Sequence, residues 1–598
     1  MRYALRVLIT AVALALGISS ANAASTLVFR AVTVAGKHAP VARIHAGSTP
    51  IMTLSGRGWK SVEAARDVAN RLNGFAEEGL RSDEISIWSD RKTRTIMARG
   101  EKIVTIDKTL AKSQGMDRTA LARTWASNLR AAFGRPYLSA EPLLVPVGET
   151  RALALKGSFS GQLSVKPEMS IVTATWDKDA KVVRIAGLDT GRTDLIVQDS
   201  GSTLRVPVRA ARYAARLVES LPAEVTGTPA FRDDVDRAVT SAVGAGMLIE
   251  PNAWTEIRPL TGESGAIWPG KSQAVPVEIS AGGPDYLPYH DKPTVVVRNE
   301  PVTATPAKLL MVSNSPERIR GYGLWFEGTI GDFDSIRLLY HHVNGLKVSA
   351  DLVVELWNIG QEAARVQVVA GAAGPSFDEA WVGHRAAGEF LGKRAANSGW
   401  IVPIPASTTV PILSQRLSAG SVASGVLEMR SLGKANLSLR LYLESPVSQR
   451  APRDIASYAA SPLLGQWHYP QTRRTVKTKY EVGRDWAFVT IGDQPVAGLK
   501  DGDLLEGSYG VLYEIDLELS NPTSAPARVV VSLEPAGGPA RGALLIDGRY
   551  AETALLKRDD EGIVARYSLA PGEVRKVHIE TMPQGGSNYP VRLVARPI

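Results

Sequence analysis

The chain has 598 residues, a formal net charge of +9 and no cysteine. The lack of cysteine excludes disulfides, thiolate metal sites, cysteine catalysis and a lipid on an N-terminal cysteine. Lysines and arginines are scattered among carboxylates and form no basic stripe, which argues against nucleic-acid binding, and the length allows about four domains of roughly 100–200 residues each.

The first 23 residues have the three-part layout of a secretory signal peptide. Arg2 and Arg6 precede an apolar run over residues 7–18, and Ala21-Asn22-Ala23 supplies small residues at the cleavage site. The run is shorter than the roughly 20 residues needed to span a bilayer, although a retained anchor is the alternative. We expect cleavage after Ala23 and no transmembrane segment in the mature chain. Because large eukaryotic secreted proteins usually carry disulfides, we expect a bacterial protein of the periplasm or cell surface.

Residues 24–136 are predicted to form a small α/β domain. Residues 26–34 and 41–45 alternate in polarity as strands do. A helix is predicted after Asp117, with four apolar residues at helical spacing on one face: Leu121, Trp125, Leu129 and Phe133. Trp125 is therefore expected in the core and not at a ligand platform.

This domain resembles small exported domains of bacterial envelope proteins, including N-terminal extensions of mechanosensitive-channel relatives. The resemblance is carried by residues 40–44, by Arg66 and Arg71-Leu72 in the first helix, and by residues 103–107. It implies an envelope location.

Residues 137–210 are predicted to form a β-sandwich, because short alternating strands are separated by Gly, Asp and Ser. The segment resembles the pilus-formation N-terminal domain that accompanies secretins and pilus-assembly proteins. The matching features are Val-x-x-Gly-Glu at 145–149, Ile-Ala-Gly-Leu at 185–188, the Gly-x-Thr-x-Leu turn at 191–195 and Asp-Ser-Gly at 199–201. The family's pore-forming segment is not recognisable, so the resemblance implies a role beside an envelope assembly and not a pore.

Residues 211–260 are predicted to form a small α/β module, which resembles the envelope-associated BON domain in its order of strand and helix patterns over 211–259. Residues 261–302 are rich in Gly and Pro, including Gly282-Gly283-Pro284. They are predicted to be a linker with short strands between the two halves of the chain.

The C-terminal half contains an internal repeat. Residues 354–358 (Val-Glu-Leu-Trp-Asn) are echoed by 517–521 (Leu-Glu-Leu-Ser-Asn), and 364–368 (Ala-Arg-Val-Gln-Val) by 527–531 (Ala-Arg-Val-Val-Val). Both pairs have the same offset, since 521 − 358 and 527 − 364 are each 163. An Asn-led turn between alternating strands is typical of a hairpin. The repeat predicts two related β-sandwiches, at 303–447 and 448–598.

Candidate catalytic and metal sites are few. His341 and His342 are neighbours in a predicted strand and point to opposite faces, so a shared metal is disfavoured, although His384 can approach one of them. The acidic pairs Asp332 with Asp334 and Asp501 with Asp503 are not followed by the rest of a calcium loop. Gly-x-Ser-x-Gly and His-Glu-x-x-His are absent. We therefore predict no catalytic residue, no metal site and no cofactor.

Six tryptophans in the C-terminal half leave carbohydrate binding open as an alternative: Trp325, Trp357, Trp381, Trp400, Trp467 and Trp486. Trp357, beside the Asn358 turn, is the one expected to be exposed. The sequence as a whole favours a multi-domain, β-rich, non-catalytic structural or adaptor protein of an envelope, pilus or secretion-type assembly. Its expected partners are envelope proteins or pilus and secretion components, with glycans as the alternative. Fold class alone does not decide between these partners.

Overall fold

The computed structural model describes residues 26–34, 41–55, 60–138, 143–159, 162–220, 222–260, 262, 266–446 and 467–598. The predicted signal peptide, residues 1–23, lies outside this part of the chain. The protein is multi-domain and mostly β, with a small α/β region first, as the sequence predicts. It divides into two compact units, Met1–Tyr213 with Asp285–Leu287, and Ala214–Pro284 with Pro288–Ile598.

The first unit begins with the α/β domain, in which helices pack on two three-stranded sheets, ordered β1-β2-β3 and β4-β5-β6. Asp117 caps the third helix by accepting hydrogen bonds from the backbone N–H groups of Thr119 and Ala120. Trp125 is buried with the rest of its predicted stripe, so the core assignment is confirmed. The elements are β1 (Phe29–Val34), β2 (Val41–Ala46), β3 (Thr49–Ser55), α1 (Lys60–Glu77), β4 (Ile85–Ser89), β5 (Arg94–Ala98), β6 (Glu101–Ile106), α2 (Lys108–Ser113) and α3 (Arg118–Phe133).

A β-sandwich completes the first unit. Its strands are β7 (Leu143–Pro146), β8 (Thr150–Ala154), β9 (Ser164–Pro167), β10 (Val172–Asp177), β11 (Val182–Gly187), β12 (Gly191–Asp199) and β13 (Ser202–Ala211). They form a three-stranded sheet, β10-β11-β8, and a four-stranded sheet, β7-β13-β12-β9. Val183, Ile185, Leu195 and Val206 are fully buried in its core. A Cβ on Gly187 would lie 2.5 Å from the carbonyl oxygen of Pro146, which explains the glycine there.

The second unit opens with strands and one helix: β14 (Ala215–Leu217), β15 (Ala223–Thr226), α4 (Arg232–Ala245), β16 (Met247–Ile249), β17 (Trp254–Pro259), β18 (Ser272–Gly282), β19 (Tyr289–Asp291) and β20 (Thr294–Asn299). The first sandwich of the repeat follows, with β21 (Leu309–Ser313), β22 (Arg318–Ile319), β23 (Gly323–Ile330), β24 (Ser335–Asn344), β25 (Ala350–Asn358), β26 (Ala364–Ser376), α5 (Glu379–Ala395), β27 (Gly399–Ile404), β28 (Thr409–Leu417), β29 (Val422–Ser431) and β30 (Leu437–Glu444).

The second sandwich comprises β31 (Trp467–Tyr469), β32 (Arg473–Glu481), β33 (Ala487–Ile491), β34 (Val496–Ala497), β35 (Leu504–Leu505), β36 (Leu512–Ser520), β37 (Ala527–Pro535), β38 (Ala543–Ile546), β39 (Arg549–Glu552), β40 (Gly562–Leu569), β41 (Val574–Thr581) and β42 (Val591–Pro597). Its two sheets are ordered β32-β36-β41-β38-β39 and β33-β42-β37-β40.

One long sheet runs from the predicted linker into the first sandwich, in the order β17-β18-β20-β15-β27-β26-β29-β24-β21-β31. Residues 261–302 are predicted to be a linker with short strands between the two halves of the chain. This prediction needs correction, because the strands β18, β19 and β20 of this segment belong to the long sheet. Val275, Val277 and Ile279 alternate with exposed residues and are buried, as are Val295 and Val297. Gly270 and Pro284 lie in turns that flank these strands.

A shorter sheet, β23-β30-β25-β28, packs on the long sheet to complete the first sandwich. The pairing registers confirm that the two sandwiches are related. Ala364 pairs with Ile404 as Ala527 pairs with Leu569, and Trp357 pairs with Thr409 as Ser520 pairs with Val574. Both pairs keep the sequence offset of 163 on β25/β36 and β26/β37, since 527 − 364 and 520 − 357 are each 163.

The predicted Asn turn has the same hydrogen bonds in both copies. Nδ2 of Asn358 donates to the carbonyl oxygens of Glu362 (2.8 Å) and Ile404 (3.0 Å). Nδ2 of Asn521 donates to those of Ala525 (2.9 Å) and Leu569 (3.2 Å). Each asparagine is 1% exposed. One buried amide thus ties the end of one strand to the end of a strand in the facing sheet, and we call this the asparagine corner.

The copies differ in the connection that follows β26 or β37. In the first copy this connection is the helix α5, which packs on the long sheet and against β38. In the second copy it is the hairpin β38–β39, and β38 pairs with β41. The strand equivalent to β41 in the first copy is β28, which is the last strand of its sheet. Within the part of the chain that the structure describes, the same sheet edge is therefore covered in one copy and open in the other.

The two sandwiches share a hydrophobic core. Leu310 and Leu339 of the first sandwich and Phe390 of α5 pack in one cluster with Tyr513 and Leu517 of the second. The strand β24 is buried at every position, because one face meets the short sheet and the other meets the second sandwich.

Candidate functional site

The open edge of β28 borders a groove. The strand pairs with β25 on one side, and the helix α4 lies beyond its other side, on the long sheet. An unpaired strand edge presents backbone N–H and C=O groups that can accept another strand. The local sequence keeps this edge exposed, since Pro411, Ser414 and Arg416 of β28 are exposed.

The groove has a volume of about 660 Å³ and mostly apolar walls, within the range of ligand-binding clefts. One wall is β28 with the turn before it. The opposite wall is a stripe of α4 residues at helical spacing, and residues of β17 close one end. The lining includes Thr240, Ser241, Gly244, Ile257, Val410 and Ile412.

Two charged residues of α4 line the same groove. Oδ1 of Asp236 and Nη1 of Arg237 are buried, and neither has a hydrogen-bond partner among the described residues. The guanidinium of Arg237 lies 5.0 Å from the ring centre of Trp400, which positions it. Unsatisfied buried donors and acceptors are rare because each destabilises the fold. Both atoms are covered by the fold, so Asp236 and Arg237 line the groove without exposing these two atoms in it.

The second sandwich shows how such an edge accommodates a strand. There, β38 runs antiparallel to β41, with Leu544 opposite Thr581 and Ile546 opposite Ile579. By the shared pairing to β36 and β25, Ile579 and Thr581 correspond to Gln415 and Leu417 of β28. The edge of β41 that β38 covers thus corresponds to the edge of β28 in the first copy, and the edge of β28 continues into the groove.

The histidines singled out from the sequence are separated by the structure. Nε2 of His342 is 2.9 Å from Oγ of Ser313, on the face of β24 toward the short sheet. His341 is on the opposite face, where its Nε2 is 3.8 Å from Oε1 of Glu317. Nε2 of His384 is 3.0 Å from Oε2 of Glu552. Burial lowers the pKa of His341 and that of His342 to about 4.

The acidic pairs serve as turn residues. Oδ1 of Asp332 accepts from the backbone N–H of Ala435 (2.8 Å), and Oδ1 of Asp334 lies 3.0 Å from Nζ of Lys308. Asp503 closes the turn between β34 and β35 through its backbone. Across the described residues, no group of three His, Asp or Glu side chains is arranged to hold a metal ion.

The prediction that Trp357 is the exposed tryptophan needs correction. Trp357 is half-buried, with the guanidinium of Arg440 at 4.3 Å from its ring centre. Trp486 and Phe488 are instead about half exposed. Their ring centres are 6.3 Å apart, with planes tilted by 36°. They flank one residue at the start of the edge strand β33, so their side chains share a face. In the sequence, the spacing of two positions between Trp486 and Phe488 is the feature that indicates a shared face on a strand.

A family model for a domain of unknown function, DUF8459, matches residues 40–136. The matched segment is the N-terminal α/β domain. No curated protein sequence matches the chain. In the part of the chain that the structure describes, none of the helices is both long and apolar enough to cross a membrane.

Solved structures give only distant similarities. Domains 5–6 of the S-layer protein SbsC are 10% identical over 28% of this chain and 99% of that one, with a TM-score of 0.12. The CBM22-1–CBM22-2 tandem of Paenibacillus barcinonensis Xyn10C is 8% identical over 58% and 84%, with a TM-score of 0.10. The Bacteroides ovatus mixed-linkage glucan protein SGBP-B is 9% identical over 75% and 94%, also at 0.10. Scores this low assign neither fold nor function.

Proposed function

We propose that the protein is an exported, non-catalytic structural or adaptor component of a bacterial envelope assembly. It binds an extended segment of a partner protein in the groove between β28 and α4. The observation that carries this proposal is the open edge of β28, whose counterpart in the second sandwich is covered by a strand of the same chain. The resemblance of residues 137–210 to a pilus-formation domain supports the same class of assembly.

Strand addition accounts for the groove's chemistry. An added strand would hydrogen-bond along β28 with its backbone, while alternate side chains would enter the apolar floor. Asp236 and Arg237 are neighbours in α4 with opposite charges, so the groove lining carries no net charge. The other described residues that line the groove are uncharged. The expected ligand is therefore an apolar, β-prone segment with low net charge.

The first test places a photo-crosslinking amino acid at Ser414, which is exposed on β28 and lines the groove. The mature protein is expected to attach to one defined segment of one envelope protein in the native host. A synthetic peptide of that segment should then bind the purified protein. If position 414 attaches to no polypeptide, or if the mapped peptide does not bind, strand addition at this edge is wrong.

Thr240→Trp supplies the specific variant, because Thr240 is exposed on α4 and lines the groove. The indole should fill the space and weaken peptide binding by at least about tenfold, which corresponds to roughly 1.4 kcal/mol. Thr124→Trp on α3 is the matched control. Both threonines are exposed helix residues that donate from Oγ1 to the carbonyl oxygen four residues earlier, at 2.8 Å for Thr240 and 3.0 Å for Thr124. The control should bind the peptide as the unaltered protein does.

Carbohydrate binding is a second candidate function, favoured by the Trp486–Phe488 pair. Its flank carries Arg596, whose guanidinium is 5.4 Å from the ring centre of Trp486 and makes two contacts to Glu561, at 3.0 and 2.7 Å. Exposed rings beside polar donors and acceptors suit the apolar face and hydroxyls of a sugar.

The carbohydrate candidate is tested by affinity electrophoresis in gels containing envelope polysaccharide. Retardation should be lost in Trp486→Ala and kept in Trp268→Ala, which removes an exposed indole at another place in the same unit. Equal retardation of both variants, or none of the unaltered protein, contradicts this candidate.

A further inference from the structure

A lysine side chain is buried among three carboxylates where α4 meets α5. Nζ of Lys393 lies 2.9 Å from Oδ1 of Asp234 and 2.8 Å from Oε1 of Glu389, and it also contacts Asp233. The side chain of Lys393 is 2% exposed and that of Asp234 is fully buried. Glu389 and Asp233 reach solvent, at 29% and 48% exposed.

The hydroxyl of Ser398 completes the cluster. Its Oγ donates to Oδ2 of Asp234 at 2.6 Å and accepts from the backbone N–H of Phe231 at 2.8 Å. The carboxyl group of Asp234 is thus held on one side by Ser398 and on the other by the amine of Lys393. The apolar residues nearby in α4 and α5 include Val235 and Phe390, both buried.

We propose that Lys393 and Asp234 are joined by an intramolecular isopeptide bond. A buried cation with several buried carboxylates is expensive to desolvate, and condensation removes one positive and one negative charge from the interior. The two atoms that would bond, Nζ of Lys393 and Cγ of Asp234, already belong to groups in hydrogen-bond contact. The residues are 159 positions apart in the chain, so the bond would fasten the segment before the first sandwich to the helix inside it.

The reaction balances without an outside reagent. The amine passes a proton to Glu389 or Asp233, and Asp234 takes up one proton in exchange, so the net charge of the cluster does not change. The free amine then attacks Cγ of the protonated Asp234. The Asp234 hydroxyl leaves with a proton as one water molecule, and the product is a neutral secondary amide. Ser398 donates to the carbonyl oxygen as negative charge develops there. No oxidation or reduction takes place.

The protonation states of the cluster are consistent with part of this path. Burial raises the pKa of Asp234, which favours the protonated acid that an amine can attack. Burial alone would lower the pKa of Lys393, but the adjacent carboxylates outweigh it and raise that pKa. The neutral amine is therefore the less populated form of Lys393, and a carboxylate in direct contact with Nζ can accept the proton that it must lose.

The test is the intact mass of the purified full chain in denaturant. We expect a mass one water molecule below that calculated for the same polypeptide, and trypsin should release the peptide 233–237 joined to 386–394. Fragmentation must place the link between Asp234 and Lys393. A full calculated mass, or a link at another pair of residues, overturns the proposal.

Two variants separate the bond from the fold. Lys393→Arg keeps the cation and should show its full calculated mass. Glu389→Gln keeps the shape of the side chain but removes the contacting base, so freshly folded protein should form the link at least tenfold more slowly than the unaltered chain. If Glu389→Gln links as fast, Glu389 is not the base, and the same experiment with Asp233→Asn decides whether that carboxylate is. Equal rates in both variants would contradict the path as drawn.

Discussion

Substitution of an asparagine corner should destabilise the second unit strongly and by a similar amount in either copy. Asn521→Ala removes an amide whose Nδ2 donates to three carbonyl oxygens and whose Oδ1 accepts from Oγ1 of Thr523 at 2.7 Å. The side chain is 1% exposed, so water does not replace these bonds. A buried polar group left unpaired costs about 1–3 kcal/mol. With at least two carbonyls affected, we expect a loss of about 2–4 kcal/mol in the free energy of unfolding.

Asn358→Ala should lose a comparable amount, because its amide makes the matching bonds to Glu362 and Ile404. It should also affect the groove. The backbone N–H of Asn358 donates to the carbonyl oxygen of Thr408 at 2.9 Å, and Thr408 lies in the groove wall just before β28. Peptide binding should therefore weaken in Asn358→Ala and not in Asn521→Ala.

The assay is urea unfolding followed by both circular dichroism and tryptophan fluorescence, since coincident transitions are needed before a free energy is extracted. Asn588→Ala is the matched control, because Asn588 is exposed and its Nδ2 makes one bond, to the carbonyl oxygen of Pro539 at 2.9 Å. It should lose less than about 1 kcal/mol. If either corner variant is as stable as this control, the corner is not what fastens the two sheets.

Two further predictions concern buried side chains of β24, and a third concerns the covered edge of the second sandwich. Arg337→Ala should destabilise the second unit by about 3–5 kcal/mol in the same urea assay, because the buried guanidinium binds Glu428 (3.0 Å) and the carbonyl oxygens of Thr472 (2.8 Å) and Gly510 (3.0 Å). The free energy of unfolding should fall as pH drops from 6.5 toward 4, by about 3 kcal/mol per group for His341 and His342. Burial lowers each folded-state pKa from 6.5 to about 4, so the unfolded chain binds more protons in that window, and a variant with both histidines replaced by Gln should show a flatter profile. Gly548→Val should raise hydrogen exchange in β38 and β41 but not in β28, since Gly548 has φ +75° in the turn between β38 and β39, a conformation that a β-branched residue adopts only with strain.

The features that the sequence predicts are those set by local patterns. Trp125 and the other members of its stripe repeat every four residues, which fixes one face of α3 toward the core. The repeat is visible because asparagine is needed at each corner, where Asn358 and Asn521 bond backbone groups that no other side chain of that size satisfies.

The features that the sequence does not predict depend on residues that are distant in the chain. Lys393 meets Asp234 from 159 positions away, and no local pattern distinguishes it from a solvated lysine. Trp357 is covered by Arg440, which comes from a neighbouring strand. The Gly and Pro residues over 261–302 predict a linker, whereas the alternating valines in the same segment indicate the strands that the structure shows.

The difference between the open and the covered edge can be traced to two short segments of sequence. The connection in the first copy contains Glu379–Ala395, a helix whose start is capped by Asp378 and whose buried residues include Val382, Phe390 and Leu391. The equivalent connection in the second copy contains Asp547-Gly548 between apolar runs, and both residues have positive φ, of +50° and +75°. Asp-Gly at such angles is the preferred tight turn of a hairpin. The second copy therefore supplies its own edge strand, whereas in the first copy the same stretch of chain is committed to α5 and the shared core. Among the described residues, the edge of β28 is open because the stretch of chain equivalent to β38 packs elsewhere as α5.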